Sequence, residues 1–348
     1  MADTATAARL YLDEFRPRPE LVVDAHPLER SRFAAIDAHN HLGHCAGPDD
    51  VARVVAEMDA CGLKAMFDLD GNVGRPLAEE LRLTRDAHPG RFVVLTALPW
   101  QEEMTAGGDF GARLAAVLRR AVGEGARGLK IFKELGLRHR DAAGRLVMPH
   151  DPRIGDVFAA CADLKVPCLY HVADPRAFFR PLDGFNERWE ELHARPEWHF
   201  FGPEFPSYEQ LMESQERLLE AHPDTLFQAA HVASASENLG YVRRLLDRYP
   251  NLNVDISARI AELGRQPYTA RQFFVEYADR VLYATDQTPV ASVQRVHMRL
   301  LETRDEYFPY HPGDGQGQGR WRIYGLGLPD DVLEKVYFRN AERLYGRP

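Results

Sequence analysis

Short runs of apolar and β-branched residues recur along this chain, separated by stretches whose apolar positions fall at helical spacing. The runs lie near 34–41, 63–69, 91–98, 126–132, 166–172, 225–232, 251–257 and 280–285. Runs of this length, apolar on both faces, read as buried parallel strands rather than half-solvated ones. Between them, residues 51–58, 114–121 and 241–246 carry one apolar stripe each and read as amphipathic helices. His88-Pro89-Gly90, Gly123-Glu124-Gly125 and Tyr249-Pro250-Asn251 each stop a helix shortly before a strand. Eight strand–helix units predict a single (β/α)8 barrel, with its core at about 34–310, rather than an open sheet.

Three segments fall outside this beat. Residues 1–33, with Arg16-Pro17-Arg18-Pro19, are expected to form an extended arm. Residues 173–206 interrupt the unit after the fifth strand. They hold five prolines and many aromatics, too many for a disordered segment, and are expected to form a lid over the barrel mouth or a contact between subunits. Residues 310–348 form a C-terminal extension that opens with the glycine-rich stretch 313–319, read as flexible, and ends in helices.

The ends of the apolar runs carry the chemistry. Asp37-Ala38-His39-Asn40-His41 closes the first run. Side chains alternate along a strand, so His39 and His41 are expected on one face, close enough to chelate one ion, with Asp37 beside them to orient a ring. His171, His231 and Asp286 each end a later run. A buried imidazole or carboxylate needs a partner, and a shared metal gives all of them one. Several imidazoles with one carboxylate suit Zn²⁺, and also Mn²⁺ or Fe²⁺.

In this order, from His39 and His41 through His171 and His231 to Asp286, the residues resemble the amidohydrolase superfamily, in its branch of hydrolases and decarboxylases related to aminocarboxymuconate-semialdehyde decarboxylase. Phe338-Arg339-Asn340-Ala341-Glu342-Arg343-Leu344 resembles that branch's closing helix. The resemblance implies a metal held by His39, His41, His171 and Asp286. It also implies that Asp286 takes the proton from an attacking water, with His231 close by as a second catalytic group. Lys130 stays open among three roles: a carboxylated lysine bridging a second metal, as in some two-metal relatives; a cation for a substrate carboxylate; or an outward lysine, with Leu129 and Ile131 facing the interior. Arg259 follows the seventh run, where a guanidinium can clamp a carboxylate, with Glu262 and Gln266 on the same loop. Lys133, Arg176, Arg180 and Trp189 are further candidates for substrate contact, each matched by the alternative of a rim ion pair or a packing role.

Composition narrows the function classes. The chain has 348 residues, and 43 basic against 52 acidic residues leave a net charge of −9, which argues against nucleic-acid and anionic-membrane partners. The first residues show no secretory pattern, and no apolar run is long enough to span a bilayer. None of the four cysteines is spaced for zinc or redox chemistry, which fits a cytoplasmic protein, and Cys45 is read as a bystander. The expectation is a homodimeric or larger enzyme that hydrolyses an amide, ester or lactone of a small carboxylate-bearing substrate. Non-oxidative decarboxylation of an unsaturated or aromatic acid is the alternative. A non-catalytic binding protein is the remote third reading, because none of the five ligand candidates is missing.

Overall fold

The computed structural model describes residues 9–348 except 13, 288 and 313–316, so most of the glycine-rich stretch read as flexible lies outside the described residues. Eight parallel strands appear in chain order: β1 (Ala35–Asp37), β2 (Leu63–Asp68), β3 (Phe92–Val94), β4 (Leu129–Ile131), β5 (Cys168–Tyr170), β6 (Phe227–Ala229), β7 (Leu252–Asp255) and β8 (Val281–Leu282). One ladder runs β1-β2-β3 and a second β4-β5-β6-β7-β8. Both seams are bonded. Thr96, just past β3, bridges Leu129 of β4, and Lys130 N donates to Thr96 O at 2.7 Å. At the other seam Ala38 N donates to Tyr283 O at 3.0 Å and Asp286 N to His39 O at 2.8 Å. The ring closes as a (β/α)8 barrel. Each strand lies inside its predicted run but is shorter, because the polar C-terminal end of each run leaves the ladder to build the mouth.

Strand alternation divides the core into two layers. Ile36, Ala38, Ala65, Phe67, Val93, Leu95, Leu169 and Leu282 pack with one another inside the ring. Ala35, Leu63, Met66, Phe92, Leu129, Ile131, Cys168, Tyr170, Phe227, Val254 and Val281 pack outward against the helices. Burying each large apolar side chain is worth roughly 1.5–3 kcal/mol. Leu129 and Ile131 face the helices, so Lys130 between them faces the interior, where it is only 1 % exposed. The reading of Lys130 as an outward lysine is therefore corrected. The helix Asn340–Tyr345 closes the barrel floor: Ala341, Leu344 and Tyr345 join the inner layer. The Tyr345 hydroxyl donates to Gln228 Oε1 at 2.8 Å, and its ring meets Phe67 edge-on at 4.6 Å.

The arm from residue 9 to 33 runs exposed along the outside. It is pinned where the Asp305 carboxylate accepts from His26 N at 2.7 Å and pairs with His26 Nδ1 at 2.6 Å. The insertion after β5 is built from short helices, Arg176–Phe179, Trp189–Ala194 and Pro196–Trp198. Phe178, Phe179, Leu192 and Phe200 are buried within it. Among the described residues, no helix is long and apolar enough to cross a membrane.

Candidate active site

Just past β1 the chain bends at His39, and this bend decides where the motif points. Asp37 still belongs to the strand and faces outward. Its carboxylate accepts from Thr285 N at 3.0 Å, Thr285 Oγ1 at 2.6 Å and Gln294 Nε2 at 2.7 Å, tying β1 to the end of β8 and to the helix Ala291–Glu302. It orients neither imidazole ring. The expected shared face assumed a regular strand through residue 41, and the strand ends at Asp37.

The rings are oriented by other groups. His39 Nδ1 donates to Asp255 Oδ2 at 3.1 Å, His41 Nδ1 to Asp70 Oδ1 at 3.0 Å, and His231 Nδ1 to Ser257 O at 2.9 Å. Carbonyl and carboxylate oxygens only accept, so in each ring Nδ1 carries a proton and Nε2 is the nitrogen left to meet a metal. All three Nε2 atoms surround Asp286. His39 Nε2 and His41 Nε2 lie 3.7 and 3.5 Å from Oδ1, and His231 Nε2 lies 3.7 Å from Oδ2. One donor atom each from His39, His231 and Asp286 falls within 4.8 Å of the others. Imidazoles whose Nδ1 is held by an acceptor and whose Nε2 faces one carboxylate fit a divalent metal ion, and the groups behind them are the usual outer partners of such ligands.

His171 stands beside this group rather than in it. Its Nε2 donates to Ala173 O at 3.2 Å and lies 3.5 Å from Asp174 Oδ1, while its ring sits 4.2 Å from that of His231. The structure thus brings His231, as well as His39 and His41, within ion-pair distance of Asp286, and sets the ring of His171 against that of His231. Burial lowers the pKa of His171 to about 4. It pushes that of His231 well below the usual imidazole range, helped by His171 and Arg259. Both rings are neutral at neutral pH.

Asp255, at the end of β7, is the residue the sequence reading missed. It is fully buried, and its carboxylate accepts from His39 Nδ1, from Gln228 Nε2 at 2.7 Å, from His231 N at 3.0 Å and from Ser257 Oγ at 2.5 Å. Burial alone would raise its pKa, but His39 and these donors hold it well below the carboxylate range. Asp70, just past β2, was missed as well. Each ends an apolar run, the same signal that marked Asp286.

The backbone is bent to serve the site. His231, Val232, Ala233 and Ser234 have φ of +60, +57, +53 and +57°, and Asp286 has +51°. A left-handed residue other than glycine costs roughly 1–2 kcal/mol. The turn is held by the Asp255 carboxylate on His231 N, and by Ser234 O accepting from the Tyr208 hydroxyl at 2.7 Å.

Lys130 Nζ donates to His39 Nε2 at 3.2 Å and lies 5.2 Å from the Phe132 ring centre. Burial lowers its pKa to about 8, against the pull of Asp286 and Asp255. It therefore touches the presumptive ligands directly, and the carbamate and cation readings both stand.

Above the ligands lies a cavity of about 480 Å³. His171, His231 and Asp286 line its inner end; Phe178, Arg188, Glu191 and Trp198 of the insertion form one wall; Val293, His297, Tyr310 and Gln318 form another. Arg259, 4 % exposed, also lines it. Nη1 of Arg259 donates to Ala258 O at 2.9 Å, and among the described residues no carboxylate lies within ion-pair distance of this guanidinium. Lys133 reaches the cavity too, with its ammonium on Asp174. Two expected substrate contacts are corrected. Arg176 lies on the surface, paired with Glu209 at 2.6 Å, with Arg180 nearby, and Trp189 stacks on His193 at 4.5 Å; none of these lines the cavity. Glu262 is buried in an ion pair with Arg188, Gln266 donates to Ser236 O, and neither lines the cavity. Cys45, half-buried, lies with its Sγ 3.6 Å from His44 Nε2 and does not line the cavity.

The amidohydrolase family profile matches residues 36–347. No curated protein matches the chain by sequence. Among solved structures, a 2,6-dihydroxybenzoate decarboxylase in complex with 2,6-dihydroxybenzoate superposes with a TM-score of 0.56 at 16% identity, covering 90% of this chain and 99% of its own. A dihydroxybenzoic acid decarboxylase from a Polaromonas species, with bound manganese and the inhibitor 2-nitroresorcinol, superposes with a TM-score of 0.56 at 15% identity, covering 90% and 97%. At these identities the likeness is one of fold.

Proposed function

The chain belongs to the amidohydrolase family, and from that premise we propose that it is a metal-dependent hydrolase of a C–N or C–O bond in a small carboxylate-bearing amide, ester or lactone. The observation that carries this reading is the convergence of three imidazole Nε2 atoms on Asp286 at the foot of the cavity. His39, His41, His231 and Asp286 would hold the ion, with His171 adjacent, and zinc suits this nitrogen-rich set best, ahead of manganese or iron. When bound, the metal supplies Lewis acidity at the inner end of the cavity. Arg259 binds the substrate carboxylate, and among the described residues its guanidinium bonds Ala258 O, which leaves other donors to meet that group. Asp286 takes a proton from the attacking water and returns it to the leaving nitrogen or oxygen. Asp255 and Asp70 keep the rings of His39 and His41 in the required tautomer.

A second reading is supported by the two superposed barrels, both of which decarboxylate dihydroxybenzoates by name. The same residues then serve a carbon–carbon cleavage, with Asp286 delivering a proton to the carbon that loses carbon dioxide. One experiment separates the two. Protein purified without chelator is assayed for metals and incubated with panels of lactones, amides and aromatic acids. About one equivalent of divalent metal with acid released and no carbon dioxide is the expected result. Carbon dioxide release selects the second reading. Metal below about a tenth of an equivalent, with activity that survives chelation, overturns both.

A further inference from the structure

The helix Ala291–Glu302 presents to the cavity one polar side chain that neither the metal site nor the carboxylate clamp uses. His297 is 3 % exposed, and its ring forms part of the cavity wall near Val293 and Tyr310. Nδ1 lies 3.0 Å from Val293 O, one turn back on its own helix. A carbonyl oxygen only accepts, so Nδ1 carries the proton and Nε2, at the outer edge of the ring, carries the lone pair. This Nε2 is buried and has no hydrogen-bond partner among the described residues. Its ring neighbour is Tyr283, which meets it edge-on at 6.4 Å with its own hydroxyl committed to Gln294. Burial lowers the pKa of His297 to about 4, so the ring stays neutral near pH 7 and the lone pair stays available.

A buried acceptor without a donor is destabilising, and such groups in native proteins call for an explanation. Position supplies one here, because the ring borders the cavity where a ligand must sit. We propose that His297 is a specificity-determining residue whose Nε2 accepts a hydrogen bond from a hydroxyl or N–H group of the substrate, so that the cavity selects ligands that carry such a donor. This deepens the proposed function: it adds a second recognition point to the carboxylate clamp at Arg259, and it rests on the cavity being the substrate site. The selection works by penalty. A ligand that brings only apolar surface to His297 leaves the lone pair buried and unpaired, whereas a donor satisfies it.

Matched fragments test the inference without relying on the carboxylate clamp. Phenol is compared with anisole, and pyrrole with N-methylpyrrole, each pair differing in the donor proton. Affinities for the full-length protein are read by ligand-observed NMR. The wild type is expected to prefer the donor member of at least one pair by about tenfold, the scale of one buried hydrogen bond. His297→Phe should abolish that preference while changing anisole affinity less than about threefold, and His297→Gln, which keeps an acceptor, should retain part of it. If the Phe variant does not fold, the wild type labelled with ¹⁵N-histidine still decides. Phenol, and not anisole, should then move one lone-pair imidazole nitrogen resonance upfield, and that resonance should be missing in His297→Gln. No donor preference in the wild type, a preference that survives in His297→Phe, or no phenol-specific shift overturns the inference. The hydrolase reading fails on different evidence, namely metal content and product identity.

Discussion

Asp255 shows how much of the candidate site depends on a residue that never meets a substrate. One carboxylate fixes the tautomer of His39, caps the strained backbone at His231 and takes the Ser257 hydroxyl. Asp255→Asn should weaken metal binding by about ten- to a hundredfold, measured by competition with a chelator, because an amide cannot accept from all these donors at once. Asp286→Asn should lower kcat by at least about a hundredfold, with much less change in substrate affinity, since it removes the proton acceptor. A variant that keeps near-normal kcat would move that role elsewhere, with His231 next. His39, His41, His231 and Asp286 were legible in the sequence because a titratable residue at the end of an apolar run has few other ways to be satisfied. Asp255 and Asp70 carry the same mark but resemble ordinary strand-end carboxylates until their partners are known. The contrast between His171 and His231 was not legible at all. It depends on a left-handed turn, four residues long without a glycine, that no local propensity favours.

At the scale of elements, the insertion after β5 matters most. Its place in the chain, following the strand that bears His171, was enough to bring it to the mouth. Which of its aromatics face inward was set by folds too short to carry a periodic pattern. Phe178 and Trp198 line the cavity, while Trp189 stacks on His193 outside it. Trp198→Ala should therefore raise KM by about tenfold at unchanged metal content, and Trp189→Ala should leave KM within about twofold, both read from steady-state kinetics. The strands were legible as runs but not in extent. Hydrophobicity marks where a segment is buried, whereas the ladder ends where the last side chains turn toward the site, as at Asp37 and His39.

For the whole molecule, pH sets a second constraint. Near the His41–Asp70 pair, burial and the neighbouring Glu80 and Asp70 carboxylates raise the Asp68 carboxyl well above its usual value, and burial raises Glu80 to about 7. A carboxyl whose pKa is higher in the folded state adds stability below its unfolded value and loses it as pH rises through the folded one. That contribution should thus fall as pH rises from about 4.5 to 7, against the opposite trend of the buried neutral His171 and His297, so Glu80→Gln should gain thermal midpoint relative to the wild type as pH rises, checked by calorimetry of both across the interval. The barrel floor carries a different consequence. Ala341, Leu344 and Tyr345 seal the inner layer, yet they lie beyond all eight strands in chain order. A ribosome therefore releases every stave of this barrel before it makes the stopper. Until then Phe67 and Gln228 lack the Tyr345 ring and hydroxyl that cover them in the finished fold, so the inner layer is completed only by the last part of the chain to be made.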